Sequence, residues 1–212
     1  MSIDRSTPRP YRMRKRAQAF EDTRDRIIRA TLELHGEQGV VATSQTDIAA
    51  RAGVAPATVY RHFPTLGLLF RACGARVLTA VRPPQPEDAD RLFKGLNTTP
   101  QRLRRFVDEV CDFYGRAFHP LHGSRQERDR VPELDEAMRQ VEAALEALAR
   151  EALALERPPE RQVQLVVALT DFDVWRSLRG HGVSQEEAPQ ILTRLVECAL
   201  GGRGPQPRGS TR

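Results

Sequence analysis

"SQTDIAARAGVAPATVYRHF", residues 44–63, is the stretch that decides the fold. Ser44 with Asp47 three residues on is an acidic variant of the capping box, which opens a helix. Ile48, Ala49 and Ala52 form the inner face of that helix. Gly53 follows, and glycine can take the left-handed backbone that a tight turn needs. Pro56 then opens a second, short helix without penalty, because a first-turn N–H has no intrahelical partner. Val54 and Val59 pin the pair together, Phe63 closes it, and Ala49 must be small because the second helix crosses there. The spacing is that of a helix-turn-helix. Its second helix has only about two turns and carries Thr58, Tyr60, Arg61 and His62 outward.

So short a helix is sufficient for reading duplex DNA, since only its first turns reach the floor of the major groove. Ala57 and Thr58 allow close approach, and their methyls suit thymine. Tyr60, His62 and the start of the next helix at Thr65 can hold phosphates. Between Gln45 and Glu87 the only acid is Asp47. The competing reading is that Tyr60 and His62 pack against the helix upstream.

Working outward, Ile27, Ile28, Thr31 and Leu34 form one helical stripe beginning near Asp22, with Gly36 and Gly39 expected to end it. Residues 1–21 contain Pro8 and Pro10 and the cluster Arg12, Arg14, Lys15 and Arg16, and are expected to form a flexible basic arm. A fourth helix is expected over 65–81, with Thr65 as its cap. The reader thus covers 22–82. "RPPQPED", 82–88, cannot continue a helix, so 83–99 is read as a linker. A helix over 100–118 follows, then a loop over 119–132 with room for a short helix. The "ELDEAMRQVEAALEALAREALAL" helix comes next; it is a core helix rather than a coiled coil, because about two heptads are too few. Helices over 159–180 and 185–201 close the second domain, 100–202, before a Gly/Pro/Arg tail, 203–212, expected to be disordered. No stretch alternates like a strand, so the chain is expected to be all-α.

Both closing helices are too apolar for a single interface. One face should pack on its own subunit. The other should meet a second copy, the candidates being Val163, Val167, Val174 and Leu178 on the first and Ile191, Leu192, Leu195, Val196 and Ala199 on the second.

The totals agree with this division. The chain has 212 residues, 33 Lys/Arg and 28 Asp/Glu. Residues 1–82 hold 14 of those cations against 7 acids, a balance of +7, whereas 83–212 hold 19 against 21, a balance of −2. The polyanion-binding half is therefore the N-terminal one. No apolar run approaches the roughly 20 residues of a membrane span, and the basic start lacks a signal-peptide core, so a cytoplasmic location is expected. Three cysteines, at 73, 111 and 198, have neither disulfide nor metal-ligand spacing.

"TSQTDIAARAGVAPATVYRHFPTLGLLF" resembles the DNA-binding signature of the TetR/AcrR family of bacterial transcriptional repressors. The likeness covers roughly residues 23–75; beyond it only the helix layout and the final helical pair are similar. The resemblance implies an all-α homodimer with an N-terminal three-helix DNA reader. It also implies a C-terminal domain that binds a small effector and thereby releases DNA. Carried over by position, Ser44 and Gln45 would meet the backbone and groove edge. Pro56, Ala57, Thr58 and Arg61 would face bases, with Arg61 able to grip guanine at two points. Tyr60, His62 and Thr65 would touch phosphates. The family often has a lysine just after the cap of helix 4, where this chain has Leu66 and Gly67; the cluster at 12–16 is expected to replace that contact. His35 stands where the family prefers a large apolar residue, and is read as a core histidine.

The candidates to line an effector site are Phe106, Cys111, Phe113, Tyr114, Phe118, Asp171, Phe172 and Trp175, although aromatics at helical spacing are more often ordinary core; Asp171 or Asp173 is available to face a cation, with solvated helix charge the commoner reading. His119 and His122 lack a third ligand, so no metal is expected, nor any other cofactor. The chain has no Gly-x-Ser-x-Gly elbow, phosphate-binding glycine loop or His-Glu-x-x-His, so it is not read as an enzyme. The open alternative is a helix-turn-helix regulator without a small ligand, acting as an activator or controlled by a protein partner.

Overall fold

The structure is a computed structural model that describes residues 9–201, with side chains described from residue 13. The tail at 203–212, the first eight residues of the arm and the Arg12 side chain lie outside the described residues. All regular structure among the described residues is helical: α1 (Arg9–Gln38), α2 (Gln45–Ala52), α3 (Pro56–His62), α4 (Leu66–Val81), α5 (Ala89–Leu92), α6 (Thr99–Arg116), α7 (Phe118–Glu127), α8 (Pro132–Leu153), α9 (Glu160–Leu169), α10 (Phe172–Gly180) and α11 (Glu187–Gly201). The chain divides into two compact units. Among the described residues, one comprises the chain up to Ala80 together with His122–Glu136, and the other comprises Val81–Leu121 with residues 137–201.

In the first unit, Ile27, Ile28, Ala30 and Leu34 of α1 meet Ile48, Ala49 and Ala52 of α2, Val59 and Phe63, and Leu69 and Cys73 of α4 in one buried cluster. Ile27, Val59 and Leu69 have no exposed surface. Truncating a ring as enclosed as Phe63 to alanine costs about 3–5 kcal/mol. The Ser44 cap forms as the sequence indicates: its hydroxyl accepts the Asp47 N–H at 3.1 Å, and the Asp47 carboxylate accepts the Ser44 N–H at 3.1 Å. Gly53 ends α2 at φ +64°, in the left-handed region, and its N–H returns to α2 carbonyls. Thr65 caps α4 by accepting the Leu68 N–H at 3.2 Å.

Two expectations are corrected. The basic segment at 12–16 is not a separate arm but part of α1, which begins at Arg9. Pro10 occupies the second helical position, where its missing N–H breaks no bond, and the residues after it are strong helix formers. Gly36 does not end α1; the helix runs on to Gln38 and stops at Gly39, which has φ +87°. The short helix allowed for within 119–132 is α7, with Pro120 tolerated in its first turn.

In the second unit the helix expected over 159–180 is two helices. Thr170 ends α9, and its hydroxyl donates back to the Val166 carbonyl at 2.7 Å. Asp171 then caps α10, its carboxylate accepting the Asp173 N–H at 2.8 Å. The carbonyl of Thr170, left free by the break, accepts the Tyr114 hydroxyl of α6 at 3.1 Å. Ser184 and Glu187 exchange reciprocal bonds at 3.0 and 3.1 Å to start α11. α11 packs on α6, α9 and α10. Its stripe Ala188, Leu192, Thr193 and Val196 is buried.

Candidate nucleic-acid interface

The reading surface is built from the turn of α2 into α3. The core fixes α3 from one side only, through Val59, and Phe63 follows its last residue. Pro56, Ala57, Tyr60 and Arg61 are exposed on the other side and Thr58 is half-buried. Tyr60 keeps 58% of its surface. Ser44, Thr65 and Pro64 are exposed and Gln45 is half-buried. A short outward ridge free of carboxylates thus stands on a rigid base, with hydroxyls at Ser44, Tyr60 and Thr65 around it. It suits a negatively charged, grooved partner. Two fastenings hold the base: Arg51 of α2 grips the Glu37 carboxylate of α1 with both terminal nitrogens, at 2.8 and 2.7 Å, and the Arg24 guanidinium lies 4.9 Å from the centre of the Phe63 ring.

His62 is a correction among the expected phosphate contacts. Its ring is 9% exposed and lies 4.0 Å, centre to centre, from Phe20 of α1. Burial, then the neighbouring Arg61 and Arg24, hold its pKa below the ordinary histidine value. It remains neutral near pH 7 and serves to pack α3 on α1. This was the competing reading of the sequence, fulfilled for His62 but not for Tyr60. Met13, Arg14, Lys15 and Arg16 are all exposed on the N-terminal turns of α1, so that helix carries its cations past Phe20 as a rod. His35 is half-buried beside Phe70, ring centres 5.7 Å apart, and burial lowers its pKa while Glu127 partly offsets the effect.

The residues suggested for an effector come together in the second unit. Tyr114 lies 5.4 Å from Phe172 and 5.8 Å from Trp175, Phe172 stacks on Trp175 at 5.8 Å, and Phe118 joins at 6.1–6.2 Å. Phe113 touches Tyr114 at 5.6 Å, and Phe106 is buried. The Trp175 indole N–H is buried with no hydrogen-bond partner among the described residues, a state native structures seldom leave unexplained. Cys111 is fully buried, and burial, aided by Asp108 and Asp112, pushes its thiol up to about 12. The Asp171 carboxylate caps α10 and Asp173 pairs with Arg176 at 3.1 Å, in line with the helix-charge reading of the pair.

Of the residues expected at an interface between copies, Val163, Leu192 and Val196 are corrected. Each is at most 1% exposed within a single chain, because each lies on the inner stripe of its helix. The outward set is Leu195 and Ala199, exposed, with Val167, Val174, Leu178 and Ile191 half-buried.

A helical core presenting a short recognition helix beside a capped neighbour defines a helix-turn-helix DNA-binding protein. Comparison with known proteins narrows this. Residues 27–73 match the family model of bacterial regulatory proteins, tetR family. A curated relative, the HTH-type transcriptional repressor KstR of Rhodococcus jostii, is 29% identical over 198 residues, covering 89% of this chain and 88% of that one. A TetR-like transcriptional regulator from Rhodococcus sp. RHA1 has the same fold at a TM-score of 0.58 and 19% identity, covering 85% of this chain and 97% of its own. So does the multidrug binding protein EbrR, crystallised with imidazole, at a TM-score of 0.53 and 21% identity, covering 82% and 89%. Residues 27–73 thus form a tetR-type DNA-binding segment, and the chain is a DNA-binding transcriptional regulator whose matched relatives are regulators rather than enzymes.

Proposed function

We propose that the protein is a repressor that binds a pseudo-palindromic operator as a homodimer and leaves it when a small molecule occupies the second unit. The observation that carries the DNA reading is the ridge of α3, exposed at Pro56, Ala57, Tyr60 and Arg61 over a closed core. In this reading Arg61 and Thr58 read base edges, while Ser44, Gln45, Tyr60 and Thr65 hold phosphates. The outward apolar stripe of Ile191, Leu195 and Ala199 joins the two copies, which sets half-sites about 34–36 Å or a multiple apart. The repressor named among the curated relatives supports the sign of regulation.

The effector reading rests on the buried, unpartnered Trp175 N–H within a shell of aromatic rings. That chemistry favours a largely apolar molecule with one hydrogen-bond acceptor; the engagement of Asp171 and Asp173 disfavours a cation. Near-complete burial of Phe106, Phe113 and Phe172 also suits a second reading, an ordinary core with control by a protein partner. The deciding experiment has two arms. Selection from random duplexes should return a two-fold symmetric site. A thermal-shift screen should then show stabilisation by neutral aromatic acceptors, lost in Trp175→Phe. No enriched duplex rejects the regulator reading, and no shift by any compound class favours the partner-controlled one.

A further inference from the structure

The first unit contains one segment that the three-helix reader does not need for its own core: His122–Glu136. Its carboxylates engage the reader at two places. The Glu127 carboxylate at the end of α7 accepts the Val40 N–H at 2.7 Å and the Val41 N–H at 3.1 Å, 87 and 86 residues away in sequence. These are the backbone donors of the turn between α1 and α2. Gly39, beside them, is at φ +87°, and a Cβ there would stand 3.0 Å from Glu127 Oε1. Glu133, in the first turn of α8, presses against the first turn of α4, where a Cβ on Gly67 would overlap its Oε1. Both approaches therefore occur where the chain has no side chain to obstruct them. The two held elements stand next to Ser44 and Thr65, the hydroxyls that border the recognition ridge.

We propose that Glu127, with Glu133 as its companion, is a positioning residue for DNA recognition: a carboxylate clamp that fixes the α1–α2 turn and the start of α4 at the spacing the duplex requires. The hydrogen bonds are charge-assisted, so their loss is felt more than that of a neutral pair. The clamp rests on the DNA-binding reading above, and a wild-type protein with no preference between the selected duplex and a random one would be a failure of that reading, detected before any variant is made.

The test compares affinity for the duplex selected by wild type with affinity for a random duplex of equal length. Glu127→Gln removes one negative charge and raises the formal net charge of +5 by one. A charge that acts only through the long-range field would make E127Q bind both duplexes more tightly. A positioning residue gives the opposite sign on the selected duplex: affinity for it falls about tenfold while random-duplex affinity holds or rises. Hydrogen exchange at the Val40 and Val41 amides should accelerate in the same variant. Gly67→Ala tests Glu133 independently, because alanine is the better helix former and the fold is kept, while the added methyl displaces the carboxylate. G67A should lower the ratio of selected to random affinity without lowering Tm. An unchanged ratio in E127Q overturns the proposal; if E127Q loses its helical circular dichroism, an unchanged ratio in G67A does so instead.

Discussion

Replacing Arg14, Lys15 and Arg16 together by glutamine tests whether the N-terminal turns of α1 belong to the DNA interface. Glutamine keeps helix propensity close to that of the cations it replaces, so the rod should survive. The three residues are exposed and consecutive, and successive side chains on a helix are about 100° apart. They fan over roughly 200°, so one phosphate backbone can meet two of them but not three. Each neutralised phosphate contributes about 0.9 to the slope of log affinity against log salt, so the slope should become shallower by about 1.8. Between 50 and 200 mM salt that amounts to about a tenfold smaller loss of affinity than wild type shows. Fluorescence anisotropy on the selected duplex, titrated at four or so salt concentrations within that range, measures it. An unchanged slope would show that the cations face solvent in the complex, and a change near 2.7 would show that the helix bends or frays to bring all three in.

Further outcomes are expected. Ser44→Ala removes the hydroxyl that accepts the Asp47 N–H and should lower stability by about 1 kcal/mol. Gly53→Val forces a β-branched residue to φ +64° and should cost more than that, both read from denaturant midpoints. His35 and His62 have depressed pKa values because burial disfavours their charged forms. The unfolded chain takes up those protons near pH 6.5 and the folded chain only lower. Stability should therefore be full above that pH and fall as pH drops toward the folded values. His35→Phe should flatten the decline in Tm over about pH 5–6.5, and an unaltered slope would count against the assignment. Leu195→Arg alters an exposed position and should yield a folded monomer by light scattering. Leu192→Ala, at a position with no exposure, should instead cost about 2–5 kcal/mol of stability.

Much of the reader was legible in one dimension. The Ser44–Asp47 box, Gly53, Pro56 and the Ile48/Ala49/Val59/Phe63 spacing are local signals, and each acts within a few residues of itself. The α9–α10 break was missed because Thr170 and Asp171 read as ordinary helix positions. They favour a break only once Tyr114, 56 residues away, accepts the task of satisfying the Thr170 carbonyl. The helical start at Arg9 was missed for the opposite reason: a proline read as a breaker is harmless in a first turn.

What the sequence determined by itself was therefore the helix-turn-helix spacing and the Ser44, Thr65 and Ser184 caps, since hydrogen bonds along a helix and apolar period are short-range properties. Only the tertiary structure decided which face of each helix is used. It buried His62 against Phe20 while leaving Tyr60 outside, enclosed Leu192 while exposing Leu195, engaged Asp171 as a cap, and brought Glu127 to the Val40 and Val41 amides. Burial and long-range pairing depend on which surfaces meet in three dimensions, and sequence spacing alone does not hold that information.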